Sequence, residues 1–144
     1  MMYSWLNKKM PEIKNIALIS PNDQSGVDTS KAIVDATKAL GINVVANEGY
    51  ERGTQEYTSL LTRVLARKPD LIDLSGSPTG DGALILKQLR GLNYSGKLVW
   101  TSMLDPVPVV KTAGAEAAEG VYGIQGWDLK SEQSVPSLRE FANR

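Results

Sequence analysis

The sequence predicts a doubly wound α/β fold, in which a mainly parallel five-stranded sheet lies between two layers of helices. Short apolar runs begin at residues 16, 42, 71, 98 and 121, at near-regular intervals. A helical segment is expected between each run and the next, which is the period of repeated strand, helix, strand units. Such units join parallel strands by right-handed crossovers. The predicted architecture is a single three-layer sandwich over residues 1–144, of the Rossmann-like or flavodoxin-like kind.

The first elements follow from apolar spacing and from turn residues. A short amphipathic helix carries Tyr3 and Leu6 and ends near Pro11. Residues 16–19 form a continuous apolar strand. Either Asp23 or Ser25 is expected to cap the helix that follows, because both side chains can accept a hydrogen bond from a free backbone N–H. Gly41 ends that helix.

The second strand is expected at residues 42–46 and is followed by a polar loop at residues 47–53. Thr54 is expected to cap the next helix. One face of this helix is apolar at the spacing of an α-helix. That face consists of Tyr57, Leu60, Leu61, Val64 and Leu65.

The third strand, at residues 71–74, runs into a glycine-rich loop at residues 75–82 and a helix that Gly91 ends. Asp73 is unusual in this strand, because carboxylates are rarely buried without a partner. It is expected either to lie near the strand end or be paired, or else to have a functional role. The glycines allow a simple turn, or they let backbone N–H groups approach a phosphate at a helix start.

The last elements are a strand at residues 98–101, a loop at 102–106, a short helix through Lys111 and a strand at 121–125. Trp100 is expected in the core because it lies inside a strand. For Tyr122 and Trp127 packing is favoured over a place in a site. An amphipathic final helix is marked by Val135, Leu138 and Phe141.

The composition excludes several kinds of chemistry. Sixteen basic and sixteen acidic residues give a formal charge of zero, so nothing favours a nucleic acid partner. Without His or Cys, the usual zinc sites, Cys nucleophiles and imidazole-dependent triads are excluded. No apolar run approaches the roughly 20 residues that cross a bilayer, and the first residues do not form a secretory signal. The protein is therefore expected to be cytoplasmic, or its leader is missing.

The loops after the carboxyl ends of the strands, here called the rim, are the expected ligand site. They are rich in hydroxyl groups and poor in charge, which suits hydrogen bonding to a small ligand rather than proton transfer. We therefore expect no enzyme activity, no cofactor and no metal. For Ser77 and Thr79, ligand contact and helix capping remain open. The candidate rim residues are Asp23, Ser25, Ser77, Pro78, Thr79, Ser102 and Met103.

Four motifs in order resemble the second lobe of the type I periplasmic solute-binding proteins, the branched-chain amino acid receptor group of ABC importers. They are residues 11–19 leading to 22–26, residues 54–65 leading to 68–72, residues 84–92, and residues 113–114 followed by 117–121. The resemblance covers nearly the whole chain. It implies a fragment that lacks the first lobe, from a periplasmic or extracellular parent that is tethered to the membrane and delivers its ligand to a permease.

The resemblance also implies ligand contacts at Ser25, at Ser77 and Pro78, and at Ser102. Amino acid receptors of this group often have an aromatic residue at the first two sites and an acid at the third. In this chain all of these residues are small. The expected ligand is therefore either a small amino acid or another small organic molecule, such as a carboxylate or an amide.

Two other functions remain as alternatives. A receiver domain or the sensor domain of a repressor has a related architecture, but Asp23, Asp73 and Lys111 match poorly the acid cluster and lysine of a receiver. A phosphate-binding enzyme domain would use the loop at residues 75–82. That loop lacks the Lys-Ser/Thr ending of a P-loop and the glycine spacing of a dinucleotide site.

Overall fold

A computed structural model describes residues 2–101 and 106–123 of the chain. The helices are α1 (Met2–Lys9), α2 (Gln24–Ala39), α3 (Thr58–Ala66), α4 (Thr79–Gly91), α5 (Pro106–Ala113) and α6 (Ala115–Ala118). The strands are β1 (Asn15–Pro21), β2 (Asn43–Tyr50), β3 (Leu71–Asp73), β4 (Lys97–Val99) and β5 (Val121–Tyr122). The predictions for Ser102, Met103, Trp127 and the final helix lie outside the described residues.

The predicted fold is confirmed. The five strands form one sheet in the order β2-β1-β3-β4-β5, and every neighbouring pair is parallel. The chain moves outward from β1 to β2 and then returns past β1 to β3, so the strand order reverses between β1 and β3. In open α/β sheets, ligands bind beside such a reversal, at the carboxyl ends of the strands. No helix among the described residues has the length and apolar character needed to cross a bilayer.

Side chains on the two faces of the sheet belong to two separate cores. Ile19, Ile72 and Trp100 pack with α3, α4 and α5, whereas Leu18 and Leu71 pack with Tyr3 and Leu6 of α1. This alternation follows from the two-residue period of a strand. Full burial of each such side chain stabilises the fold by about 1.5–3 kcal/mol. The prediction that Trp100 belongs to the core is confirmed, since its side chain is fully buried.

The second strand is longer than predicted. Residues 47–50 were expected in a loop, but they continue β2 and stay paired with β1 as far as Pro21 and Tyr50. Asn47 and Gly49 are exposed while Tyr50 is buried, which is the pattern of a strand at the edge of a sheet with one covered face. Asn47 and Gly49 therefore lie on the outer face, whereas Glu48 shares the face of Tyr50 and pairs with Arg63 of α3. As a result, Tyr50 lies at the rim.

The start of α2 agrees with the prediction from the sequence, whereas the starts of α3 and α4 differ from it. Asp23 caps α2, where its Oδ1 accepts a hydrogen bond from the Gly26 N–H at 2.9 Å. The predicted cap of α3 is wrong: Thr54 donates its hydroxyl to the Glu51 carbonyl at 2.6 Å. The helix begins later, where the Glu56 carboxylate accepts from the Thr58 N–H at 2.6 Å.

The start of α4 has no side-chain cap. The cap position is occupied by Pro78, which has no side-chain acceptor, and Thr79 is the first helical residue. The capping alternative for Ser77 and Thr79 is therefore wrong. Asp81, in the first turn, has a negative charge that suits the positive end of the helix dipole.

Candidate functional site

The rim brings together the residues that follow β1, β2, β3 and β4. Asp23 follows β1, Arg52 follows β2, Pro78 and Thr79 follow β3, and Thr101 follows β4. Ser25 lies in the first turn of α2 and is exposed. The predicted gathering of these loops on one side of the sheet follows from the parallel pairing of all four strands.

The loop after β3 is a tight turn. The Ser77 N–H donates to the Leu74 carbonyl at 3.0 Å, and Gly76 has a φ of 87°, a conformation that L side chains rarely adopt. Pro78 and Thr79 are partly exposed, but only 3% of Ser77 is exposed. The Ser77 side chain is therefore buried beneath the surface of the loop, and ligand contact at Ser77 stays a prediction.

Trp100 supports this loop from below. Its Nε1 donates to the Ser77 carbonyl at 3.2 Å. A Cβ placed on Gly82 would lie 2.8 Å from Cε2 of Trp100, and closer still to two other atoms of that ring. Gly82 is thus required because the indole packs against the helix backbone. This explains one glycine of the loop by packing rather than by phosphate binding.

An ion pair joins the loops after β1 and β2. The Arg52 Nε donates to Asp23 Oδ2, and both side chains are substantially exposed. The Arg52 guanidinium, followed by the backbone N–H of Gly26, lowers the pKa of the Asp23 carboxyl. Asp23 is therefore held by its cap and its ion pair. A pair this exposed mainly orients the two loops, since solvent screens its charges.

Sequence reasoning missed Tyr50 as a rim residue. The Tyr50 and Tyr57 rings meet edge to face, with centroids 5.3 Å apart and planes at 89°. Burial raises the pKa of Tyr50 to about 12 and also raises the pKa of Tyr57. Within the described ranges, the buried Tyr57 hydroxyl has no hydrogen-bond partner. The sequence signal for Tyr50 as a rim residue is its position as an aromatic residue at the end of a polar segment, immediately before the turn at residues 51–53.

The expectation that Asp73 lies near a strand end or is paired is confirmed on both counts. It is the last residue of β3, is only 1% exposed, and accepts a hydrogen bond from the Tyr3 hydroxyl. Burial raises the pKa of its carboxyl. Because Asp73 binds Tyr3 while Asp23 binds Arg52, the two acids do not share a site. That separation removes support for the receiver alternative.

The rim is suited to binding by hydrogen bonds. Its described charged side chains include Asp23, Glu51, Arg52 and Asp81, and Asp23 pairs with Arg52. The Gly53 N–H lies 3.4 Å from Asp81 Oδ2. Across residues 2–101 and 106–123, no three acidic side chains gather where they could hold a metal ion. What the rim offers a ligand is a set of hydroxyl and backbone groups beside a helix start.

Comparison with known proteins identifies related binding proteins. A family model described as "Periplasmic binding protein" matches residues 2–144. The Leu/Ile/Val/Thr-binding protein of Salmonella typhimurium is 28% identical over 116 residues, which are 81% of this chain and 31% of that protein. The chain therefore spans about a third of that curated relative.

Solved structures share the fold. A leucine-binding protein from Thermotoga maritima superposes with a TM-score of 0.84 at 21% identity, over 99% of this chain and 40% of its own. A branched-chain amino acid transporter substrate-binding protein from Streptococcus pneumoniae, solved with isoleucine, has a TM-score of 0.81 at 20% identity. The alignment covers 98% of this chain and 39% of that one.

Proposed function

Because the chain belongs to the periplasmic binding protein family, we propose that it forms one lobe of a solute receptor for an ABC importer. In this role it binds a small amino acid or a related small organic ligand. The family match over residues 2–144 is the observation that carries the proposal. The relatives are binding proteins rather than enzymes, and the hydroxyl-rich rim without a proton-transfer pair fits that role.

We assign the chain to the second of two lobes that close on a ligand. The share of the solved relatives that it covers, about two fifths, supports this assignment. Its partners are then a first lobe, which supplies the opposite wall of the site, and the membrane permease that receives the ligand. The family acts in the periplasm, and we propose that the intact receptor is tethered to the membrane there.

Within the rim, we propose that Ser25, Pro78 and Thr79 contact the ligand, since all three are at least partly exposed. Asp23 has a different role, because its carboxylate caps α2 and pairs with Arg52. Ser77 is the buried member of the proposed set, since only 3% of it is exposed. Ser102 and Met103, which follow β4 in the sequence, complete the proposed set.

The ligand class follows from the relatives and from the small rim side chains. The Salmonella typhimurium relative binds Leu, Ile, Val or Thr according to its name, and the Streptococcus pneumoniae structure contains isoleucine. The exposed Ser25 has no ring that could stack on a ligand. We therefore propose a small amino acid, carboxylate or amide that is held by hydrogen bonds on this side.

The test is a titration of the 144-residue chain followed by amide NMR signals. The probes are L-leucine, L-isoleucine, L-valine, L-threonine, benzoate and benzamide, each raised to tens of millimolar, where weak sites of roughly −3 to −4 kcal/mol become visible. We expect at least one probe to shift the amide signals of Ser25 and Thr79. Thr79→Ala should weaken that response. The control Thr62→Ala, on the exposed surface of α3, should not.

Two results would contradict the proposal. One is the absence of any shift at the rim with every probe. The other is a response confined to the open groove lined by Lys87, Tyr94 and Glu119, at the far end of α4. The second result would place a binding site at the wrong end of the sheet.

A further inference from the structure

We propose that Asp73 is a positioning residue for the rim: it fixes the exit loops of β3 and β4, and Tyr3 of α1 anchors it from one face of the sheet. The inference rests on the proposed function, because the rim that Asp73 positions is the proposed ligand surface. It gives α1 a role in shaping the site, although Tyr3 lies 70 residues before Asp73 in the sequence.

The first step is the cost of placing a carboxylate at this position. Asp73 pairs with Leu18 of β1 and Val99 of β4 in the middle of the sheet, and only 1% of it is exposed. Its neighbours on that face are apolar, including Leu18 and Leu71. Burial of a carboxylate among such neighbours is unfavourable unless its oxygens accept hydrogen bonds. An apolar residue at this position would avoid this cost. The presence of Asp73 therefore calls for hydrogen bonds to its carboxylate oxygens.

Both oxygens are used. Oδ2 accepts from the hydroxyl of Tyr3, which is 70 residues away in the chain, and Oδ1 accepts from the backbone N–H of Ser75 at 2.6 Å. The second bond spans two residues, as in an Asx turn, and it sets the direction in which the chain leaves β3. Tyr3 itself is packed in the core between α1 and the sheet.

The contact continues from Ser75 to the neighbouring exit loop. Ser75 Oγ lies 2.5 Å from Thr101 Oγ1 and accepts a hydrogen bond from the Thr101 N–H at 3.1 Å. Thr101 immediately precedes Ser102 and Met103 of the proposed ligand set. The hydrogen bonds therefore run in one connected series from Tyr3 through Asp73 and Ser75 to Thr101. This series connects the buried face of α1 with the loops after β3 and β4.

The loop after β3 is held by hydrogen bonds from both faces of the sheet. Asp73 lies on the face that packs with α1, whereas Leu74 and Trp100 lie on the face that packs with α4. After β3 the chain leaves the plane of the sheet and enters the helix layer of α4 at Thr79. Asp73 Oδ1 accepts from the Ser75 N–H at the start of this loop. Trp100, on the opposite face of the sheet, donates to the Ser77 carbonyl of the same loop.

The test replaces Tyr3 by Phe in the 144-residue chain and measures amide hydrogen exchange and amide chemical shifts. We expect exchange at Ser75 and Thr101 to accelerate by about tenfold relative to core amides such as Leu86, because one anchoring hydrogen bond is lost. The matched control is Tyr94→Phe. It removes the hydroxyl of a partly buried tyrosine, which donates to the Lys97 carbonyl at the other end of β4.

A pair of substitutions at Asp73 separates positioning from stability. Asp73→Asn can keep both contacts, because the amide oxygen accepts from the Ser75 N–H and the amide nitrogen donates to the hydroxyl oxygen of Tyr3, so the Ser75 and Thr101 signals should stay close to wild type. Asp73→Val should shift both signals. If the valine variant does not fold, the comparison of Tyr3→Phe with Asp73→Asn still decides the question.

Two outcomes would overturn the inference. In one, Tyr3→Phe affects Ser75 and Thr101 no more than Tyr94→Phe does. In the other, protection falls by the same factor at Leu86 as at the rim, which would give Tyr3 a purely structural role. No ligand is needed for these measurements. Failure here therefore leaves the proposed solute binding untouched, and a failed ligand titration leaves the positioning of the loops by Asp73 untouched.

Discussion

The contact between Gly82 and Trp100 allows a quantitative test of how the rim loop is supported. The perturbation is Gly82→Ala in the first turns of α4. The added methyl carbon would lie 2.8 Å from Cε2 of Trp100 and closer to Cζ2 and Cη2. Ordinary contact requires about 3.5 Å or more. Either the indole or the helix must therefore move.

The expected magnitude follows from three contributions. Overpacking of a well-filled core costs about 1–3 kcal/mol. Displacement of the fully buried indole also weakens its hydrogen bond to the Ser77 carbonyl, which contributes about 1 kcal/mol to stability. Alanine offsets up to about 1 kcal/mol because it favours the helix more than glycine does. The net loss in the free energy of unfolding is about 2 kcal/mol, or a fall in Tm of roughly 4 to 8 °C.

The control is Gly80→Ala in the same helix. A Cβ at Gly80 meets no atom within 4 Å, so this variant gains helix propensity without a clash and should be neutral or slightly stabilised. Urea unfolding measures both variants, and amide spectra should show Ser77 and Thr79 shifted only in Gly82→Ala. Equal stability of the two alanine variants would refute the packing argument.

Three further predictions concern polar side chains. Tyr57→Phe should leave stability unchanged or raise it, since the buried Tyr57 hydroxyl has no hydrogen-bond partner in the described part of the chain; a loss above about 1 kcal/mol would contradict this. Because burial raises the pKa of Asp73, wild type should lose stability relative to Asp73→Asn as the pH rises above about 4, by up to about 1 kcal/mol per pH unit until the folded-state pKa is passed; parallel pH profiles of unfolding would contradict it. Asp23→Ala should destabilise the chain at neutral pH by removing the α2 cap and the Arg52 pair. Since the pKa of Asp23 is lowered, that difference should shrink in unfolding scans as the pH falls below about 4, and a constant difference would count against the ion pair.

The fold could be predicted from the sequence because the signals for its strands and helices are local. Apolar runs such as residues 16–19 and the helix face with Leu61 and Val64 need no knowledge of distant partners to be recognised. The cap at Asp23 was likewise predictable, because the acceptor and the Gly26 N–H are three residues apart. These features are determined by periodicity and by short-range hydrogen bonds.

The rim was less predictable because its contacts join distant parts of the chain. Residues 47–50 look like a loop until β1 supplies pairing partners, so the position of Tyr50 at the rim could not be foreseen. Thr54 looks like a cap, but α3 starts later, where Gln88 of α4 accepts from the Tyr57 N–H at 2.8 Å. Tyr3 and Asp73 are joined only by the packing of α1 on the sheet. In each case tertiary contact decided what local preference left open.

The affinity of the 144-residue chain for the probe ligands, measured by titration calorimetry, tests the two-lobe proposal most directly. A receptor that binds near 1 μM gains about 8.2 kcal/mol, and half of that free energy corresponds to roughly 1 mM. One lobe alone should do no better, because the cost of immobilising the ligand is not halved with the contacts. We expect dissociation constants of about 1 mM or weaker for every probe. Micromolar binding by this chain would mean that the site is complete within it, and would contradict enclosure of the ligand between two lobes.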